Sequence, residues 1–143
     1  MTYAELHCLS NFSFLRGASH PHELVARAAQ CGYHALAITD ECSLTGVVKA
    51  HVAAKEYELK LIIGSEFHLT EGLRVVALAP SRDAYGELSG LISRSRRRSA
   101  KGQYTTHLRD IIFHLKRCLL IWLPEDHEEQ LAYGHQLARL CRD

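Results

Sequence analysis

No two cysteines of this chain stand at CxxC spacing, and Cys8, Cys31, Cys42, Cys118 and Cys141 make an odd number. Neither a disulfide framework nor a zinc ribbon is thereby indicated. Small buried apolar side chains in a reducing compartment are the simpler reading. No stretch nears the roughly 18 apolar residues of a membrane span, so no membrane partner is expected. Met1–Glu5 lacks the basic-then-apolar order of a secretory signal, and the expected location is cytoplasmic. A net charge of +1 excludes a protein that coats nucleic acid wholesale, so any basic contact must be local. A P-loop, a GxGxxG loop and a serine-nucleophile motif are all missing.

What is present is one domain's worth of chain. The 143 residues are 47% apolar, enough to bury a core. Ten histidines are a first hint of metal or phosphate chemistry. Short apolar runs alternate with helical patterns. Ala4 to Leu9 reads as a strand, and His20-Pro21-His22-Glu23 as a helix start, with Pro at the first position and an acid three after the cap. Ala35 to Thr39 is a second strand. Ser43 can cap a helix to about Tyr57, with Leu44, Val47, Val48 and Val52 as its apolar face. Strands follow at Leu61 to Phe67 and Val75 to Leu78, then a helix over about Asp83 to Ser93 and a strand at Leu119 to Leu123. Trp122 in that last strand reads as core. Asp126 and Glu129 form a capping box for a final helix carrying Leu131, Leu137 and Leu140.

This order predicts an α/β fold: an incomplete or distorted (β/α) barrel with mainly parallel strands. Five strands leave such a barrel unfinished, since barrels typically take about 200 residues or more. Residues 1–143 therefore read as a single domain, the N-terminal part only, with the rest of the barrel expected elsewhere in a longer chain.

Chemistry-bearing residues converge at one topological place. His7 lies near the end of the first strand, Asp40 and Glu41 follow the second, and Glu66 and His68 end the third. Strand ends on one face of an α/β sheet are where functional groups gather. Imidazoles and carboxylates there can hold zinc or manganese. They can equally be a turn cap at Asp40, a solvated strand end at Glu66 and a hydrogen-bonded histidine at position 7. Spacing alone leaves both readings open.

The segment Glu5-Leu6-His7-Cys8-Leu9-Ser10-Asn11-Phe12-Ser13-Phe14-Leu15-Arg16-Gly17 resembles the opening motif of the PHP (polymerase and histidinol phosphatase) family. Thr39-Asp40-Glu41 and Gly64-Ser65-Glu66 resemble its second and third motifs, and Ala84-Tyr85-Gly86-Glu87-Leu88 the tyrosine–glycine segment of polymerase PHP domains. The wording Ser-Asn-Phe-Ser-Phe-Leu-Arg-Gly and Thr-Asp-Glu-Cys-Ser is most similar to the error-prone branch of the bacterial C-family DNA polymerases. That resemblance implies several things: a PHP-type barrel, a parent enzyme that transfers nucleotides with magnesium bound elsewhere, and as partners the rest of the polymerase chain, DNA, and other translesion or replication factors. The paired aspartates of a polymerase palm are absent, so the chain alone is not expected to polymerise DNA.

Active members of the family hold up to three metal ions with a His-x-His pair, an acid or histidine later in the first motif, a histidine after Thr-Asp, and a glutamate ending the third strand. Here His7 and Glu66 match, and Asp40 keeps its family position. Leu9 and Arg16 stand at lost ligand positions, and Glu41 replaces a histidine. Arginines and Lys101 replace a ligand histidine near residues 94 to 101, and Pro124 falls about where a cysteine would. Losing ligands and adding a guanidinium both oppose metal binding. A degenerate zinc or manganese site on His7 and Glu66, with Glu41, is one expectation. An ion pair of Arg16 with Asp40, Glu41 or Glu66 in place of metal is the favoured one. No catalytic residue is assigned. Between Ser93 and Tyr104, Arg94, Arg96, Arg97, Arg98 and Lys101 form a basic loop that can clamp phosphate or simply be solvated. Three functions compete. The first is a structural or DNA-positioning PHP domain in damage-tolerant synthesis, the second a metal-dependent phosphoesterase or 3′→5′ exonuclease, and the third a free-standing adaptor.

Overall fold

The computed structural model describes residues 3–124 and 128–140. Its described elements run β1 (Ala4–Glu5), α1 (Pro21–Gln30), β2 (Ala35–Ile38), α2 (Val47–Glu56), β3 (Lys60–His68), β4 (Arg74–Ala79), α3 (Arg82–Arg97), α4 (Leu108–His114), β5 (Leu119–Leu123) and α5 (Glu128–Leu140). The strands form one curled half-barrel sheet in the order β1-β2-β3-β4-β5. The expected α/β incomplete barrel is what forms. β1, β2 and β3 pair in parallel, whereas β4 pairs antiparallel with both β3 and β5. Only β4 therefore runs against the rest, because the short Leu69–Leu73 turn joins it to β3 as a hairpin.

Side-chain alternation along the strands divides the sheet into two faces. Leu36 and Ile38 pack against Val25 and Ala28 of α1 and the alanines of α2, while Phe67, Val75 and Ala77 pack against Leu88 and Leu91 of α3 and Ile111 of α4. The opposite face carries Ala37, Val76 and Leu78, with Ile62, Ile121 and Leu123 packed on them. Glu66 and His68 share this second face, since they pair across the ladder with Val76 and Arg74. The helix layer thus leaves the polar strand ends uncovered.

Several local expectations are adjusted by packing. The first strand is two residues long rather than running to Leu9: the chain leaves the sheet after Glu5 and is held instead by Thr39 N–H donating to the Cys8 carbonyl at 2.8 Å. α2 starts at Val47 rather than just after Ser43, whose hydroxyl is used in a turn that accepts from the Thr45 N–H. Its buried face is Val47, Ala50, Ala53 and Ala54, and Val48 and Val52 are 73% and 54% exposed. Alanines are what let α1 and α2 approach closely, so the bulkier valines are turned out. α3 extends to Arg97, which moves the first half of the expected basic loop onto a helix. The start of α1 is as read, with the Glu23 carboxylate accepting from the His20 N–H at 2.7 Å. Trp122 packs against the core cluster and lies against Gly134 of α5. Asp126 lies outside the described residues, as does the Glu129 side chain, so the second capping box does too. In α5, Leu137 is buried and Leu131 is exposed. Among the described residues, no helix is long and apolar enough to cross a membrane.

Candidate functional site

The segment between β1 and α1 wraps the end of β2, and Asp40 is the peg it wraps. Its buried carboxylate accepts from the Ser10 N–H, the Ser10 hydroxyl and the Ser13 hydroxyl, each at 2.7 Å. Ser13 Oγ also accepts from the Glu41 N–H at 2.9 Å. Three donors satisfy one charged group, as a buried carboxylate requires. Asp40 is therefore spent on holding the loop.

That loop presents Arg16. Leu15 sits at φ 62°, in the left-handed region, and the Arg16 and Gly17 N–H groups both donate to the Ser13 carbonyl at 3.0 Å. A bridge between Glu41 and Glu66 continues the parallel β2–β3 pairing and brings the two carboxylates side by side. The Arg16 guanidinium spans them: Nη1 donates to Glu41 Oε2 at 2.8 Å and to Glu66 Oε1 at 2.7 Å, and Nη2 to Glu66 Oε2 at 3.3 Å. His7 Nε2 and His68 Nε2 each lie 2.5 Å from a Glu66 oxygen, and Arg74 Nη2 lies 3.6 Å from it.

Glu66 is fully buried. Burial pushes its carboxyl up, but bonds from His7, Arg16 and His68 outweigh that and hold it well below the usual carboxylate range. Glu41 is also lowered; burial opposes, and Arg16 and the Tyr104 hydroxyl prevail. Tyr104 links this cluster to the rest of the domain, donating to Glu41 Oε1 at 2.8 Å and accepting from the His68 N–H at 2.9 Å. Arg96 stacks over its ring at 5.2 Å and donates to the carbonyls of Glu41 and Cys42.

Two groups whose native pKa lies below the unfolded value contribute stability that is present above about pH 4.5, the ordinary value for Glu. That stability is lost as pH falls through the depressed native range. Melting curves from pH 7 down to pH 3 are expected to show a steeper acid loss for wild type than for Glu41→Gln. Parallel curves would contradict the pairing.

Of the residues singled out in the sequence, His7, Arg16, Glu41 and Glu66 come together. Asp40 is adjacent but engaged by the loop, and Leu9 is half-buried. Among the basic residues, Arg96 is turned inward as described, and Arg98 pairs with Asp110 at 2.7 Å. Arg94, Arg97 and Lys101 are exposed. His68 was legible as a member, because it stands two residues from Glu66 on a strand and so on the same face. Its partnership with Glu41 needed the fold.

Donor chemistry and occupancy point in different directions here. Glu41, Glu66 and His68 place ligand atoms within 4.8 Å of one another, a group that can hold a metal ion. The Arg16 guanidinium already lies among those same atoms, 3.4 Å from His68 Nε2. A divalent ion at these atoms would meet the fixed positive charge of Arg16 at contact distance and would have to displace it.

A curled α/β half-barrel with carboxylates and imidazoles at its strand ends is the architecture of the PHP domain, and the profile of that family matches residues 5–135: this chain belongs to the PHP family. It is 62% identical over 124 residues to the error-prone DNA polymerase of Saccharophagus degradans and 52% identical over 154 residues to that of Teredinibacter turnerae. The alignments cover 87% and 96% of this chain but only 12% and 15% of those proteins. Among solved structures, it resembles a proposed metal-dependent phosphoesterase from Bifidobacterium adolescentis (27% identity, TM-score 0.55, 67% of this chain and 34% of that one). A two-domain protein from Bacteroides vulgatus with a predicted PHP-like phosphoesterase shares the fold across 95% of this chain and 42% of its own (15% identity, TM-score 0.62).

Proposed function

We propose that this chain is the N-terminal part of the PHP domain of an error-prone DNA polymerase. In it an arginine-centred ion cluster stands in place of a hydrolytic metal centre. The domain then packs on the polymerase body and helps shape its DNA-facing surface during damage-tolerant synthesis in the cytoplasm. Nucleotide transfer, with its magnesium, belongs to other parts of that polypeptide. The observation that carries this reading is the single Arg16 Nη1 atom bonded to both Glu41 and Glu66. Arginine supplies in one side chain the positive charge and the directional donors that an ion would otherwise provide. Similarity to error-prone polymerases over most of this chain supports the rest.

Metal analysis of the purified chain tests it. Substoichiometric zinc and manganese after dialysis is the expected result, and tightly held stoichiometric metal overturns it. Arg16→Gln is expected to lose about 1–3 kcal/mol by leaving buried acceptors short of a donor. The same variant should gain measurable zinc affinity by calorimetry, because Glu41, Glu66 and His68 are then released.

The Glu41–Glu66–His68 group also favours a second reading, a metal-dependent phosphoesterase or 3′→5′ exonuclease. It requires manganese- or zinc-stimulated hydrolysis of a phosphoester that disappears in His7→Ala and Glu66→Ala. Absence of stimulation rejects it.

A further inference from the structure

At the end of α3, Gly90, Ser93, Arg94, Arg97 and Arg98 line an open cavity of about 450 Å³. Residues 90, 93, 94 and 97 follow the three- and four-residue spacing of one helix face. Arg98 is neutralised by Asp110, to which it donates through both terminal nitrogens at 2.7 and 3.3 Å. Arg94 and Arg97 are exposed, and their guanidiniums make no hydrogen bond or ion pair among the described residues. Lys101 stands exposed in the turn that follows. Attraction to the negative helix end accounts for cations in a last turn. It does not account for the cavity between them, nor for Gly90 on its wall. A Cβ at Gly90 would meet nothing within 4 Å, so no packing inside the domain requires glycine at this helix-interior position. Glycine there leaves the helix backbone bare beside two unpaired guanidiniums, which suits close approach by an extended, negatively charged chain.

We propose that this cavity is a phosphodiester-backbone site: Arg94 and Arg97 clamp successive phosphates of single-stranded DNA, Lys101 adds charge, and the bare helix at Gly90 admits the strand. The choice of DNA over another polyanion rests on the polymerase reading above. The site is separate from the Arg16 cluster. Within the basic run it assigns the contact to Arg94, Arg97 and Lys101, and it assigns Arg96 and Arg98 to holding the fold.

The test is fluorescence anisotropy of a labelled single-stranded oligonucleotide with the 143-residue chain across a salt series. Binding is expected to weaken at least about tenfold in Arg94→Gln/Arg97→Gln. The salt slope should fall by about 1.4, at roughly 0.7 for each phosphate no longer neutralised. Lys60→Gln/Arg109→Gln removes the same charge elsewhere and is expected to change affinity little. Gly90→Leu keeps every charge, projects into open space, and is expected to weaken binding without lowering the melting temperature. Equal losses in both double variants, or none in either, overturn the proposal. So does polyglutamate competing as well as DNA at equal charge, which points to an acidic protein partner. Metal content measured on the same preparations reports on the Arg16 cluster independently, so failure of one reading is distinguishable from failure of the other.

Discussion

Glu66→Ala is expected to destabilise the chain by about 3–5 kcal/mol, the range for removing one partner of a buried ion pair. Glu66 is fully buried, and four cationic or potentially cationic groups converge on it: His7, Arg16, His68 and Arg74. Deleting the carboxylate leaves those groups facing one another around a cavity, and among the described residues Glu41 alone remains paired with Arg16. Glu66→Gln keeps the volume but replaces an acceptor-only group with one that must also donate, so it is expected to recover only part of the loss. Chemical denaturation at pH 7 measures both. A loss below about 1 kcal/mol for the alanine variant would show that the cluster relaxes into solvent instead of anchoring the sheet end.

The second large effect is expected from backbone crowding rather than from a lost charge. A Cβ at Gly17 would lie 2.0 Å from the Ser10 carbonyl oxygen and 2.5 Å from its carbon. Those are backbone atoms and cannot rotate away, so Gly17→Ala must push the Arg16 loop off Asp40. Overpacking of this severity costs about 3 kcal/mol or more. Because the loop is displaced, the loss should come with release of Arg16. Zinc affinity is therefore expected to rise in Gly17→Ala as it does in Arg16→Gln, although the two substitutions share no chemistry. Gly90→Ala is the contrast: with open space around it, it is expected to be neutral or mildly stabilising.

These expectations separate what was readable along the chain from what was not. The strands at residues 35–38, 60–68, 74–79 and 119–123 follow from runs of β-branched and aliphatic residues, and α1 from its Pro–Glu start. His7, Asp40, Glu41 and Glu66 were readable as a strand-end group, and the family resemblance offered Arg16 as an ion-pair partner for Asp40, Glu41 or Glu66 without choosing among them. Less legible were the burial of alanines rather than valines on α2 and the reach of α3 to Arg97. Alanine is weakly apolar and arginine is a good helix former, so neither residue type announces its face or its boundary. The inward turn of Arg96 was hidden for another reason. It depends on Tyr104, eight residues along, reaching back across β3 to Glu41, a contact between elements that no local pattern encodes.

By itself, then, the sequence determined the α/β class and the placing of polar residues at the ends of its strands. Those depend on residue identity and short-range periodicity. Only the tertiary structure decided that Arg16 bonds both glutamates, that Asp40 is occupied by Ser10 and Ser13, that Arg96 turns inward, and that Arg98 pairs with Asp110. Whether a charge is paired depends on which groups lie within about 3 Å of it, and that distance is set by the packing of segments as much as 63 residues apart.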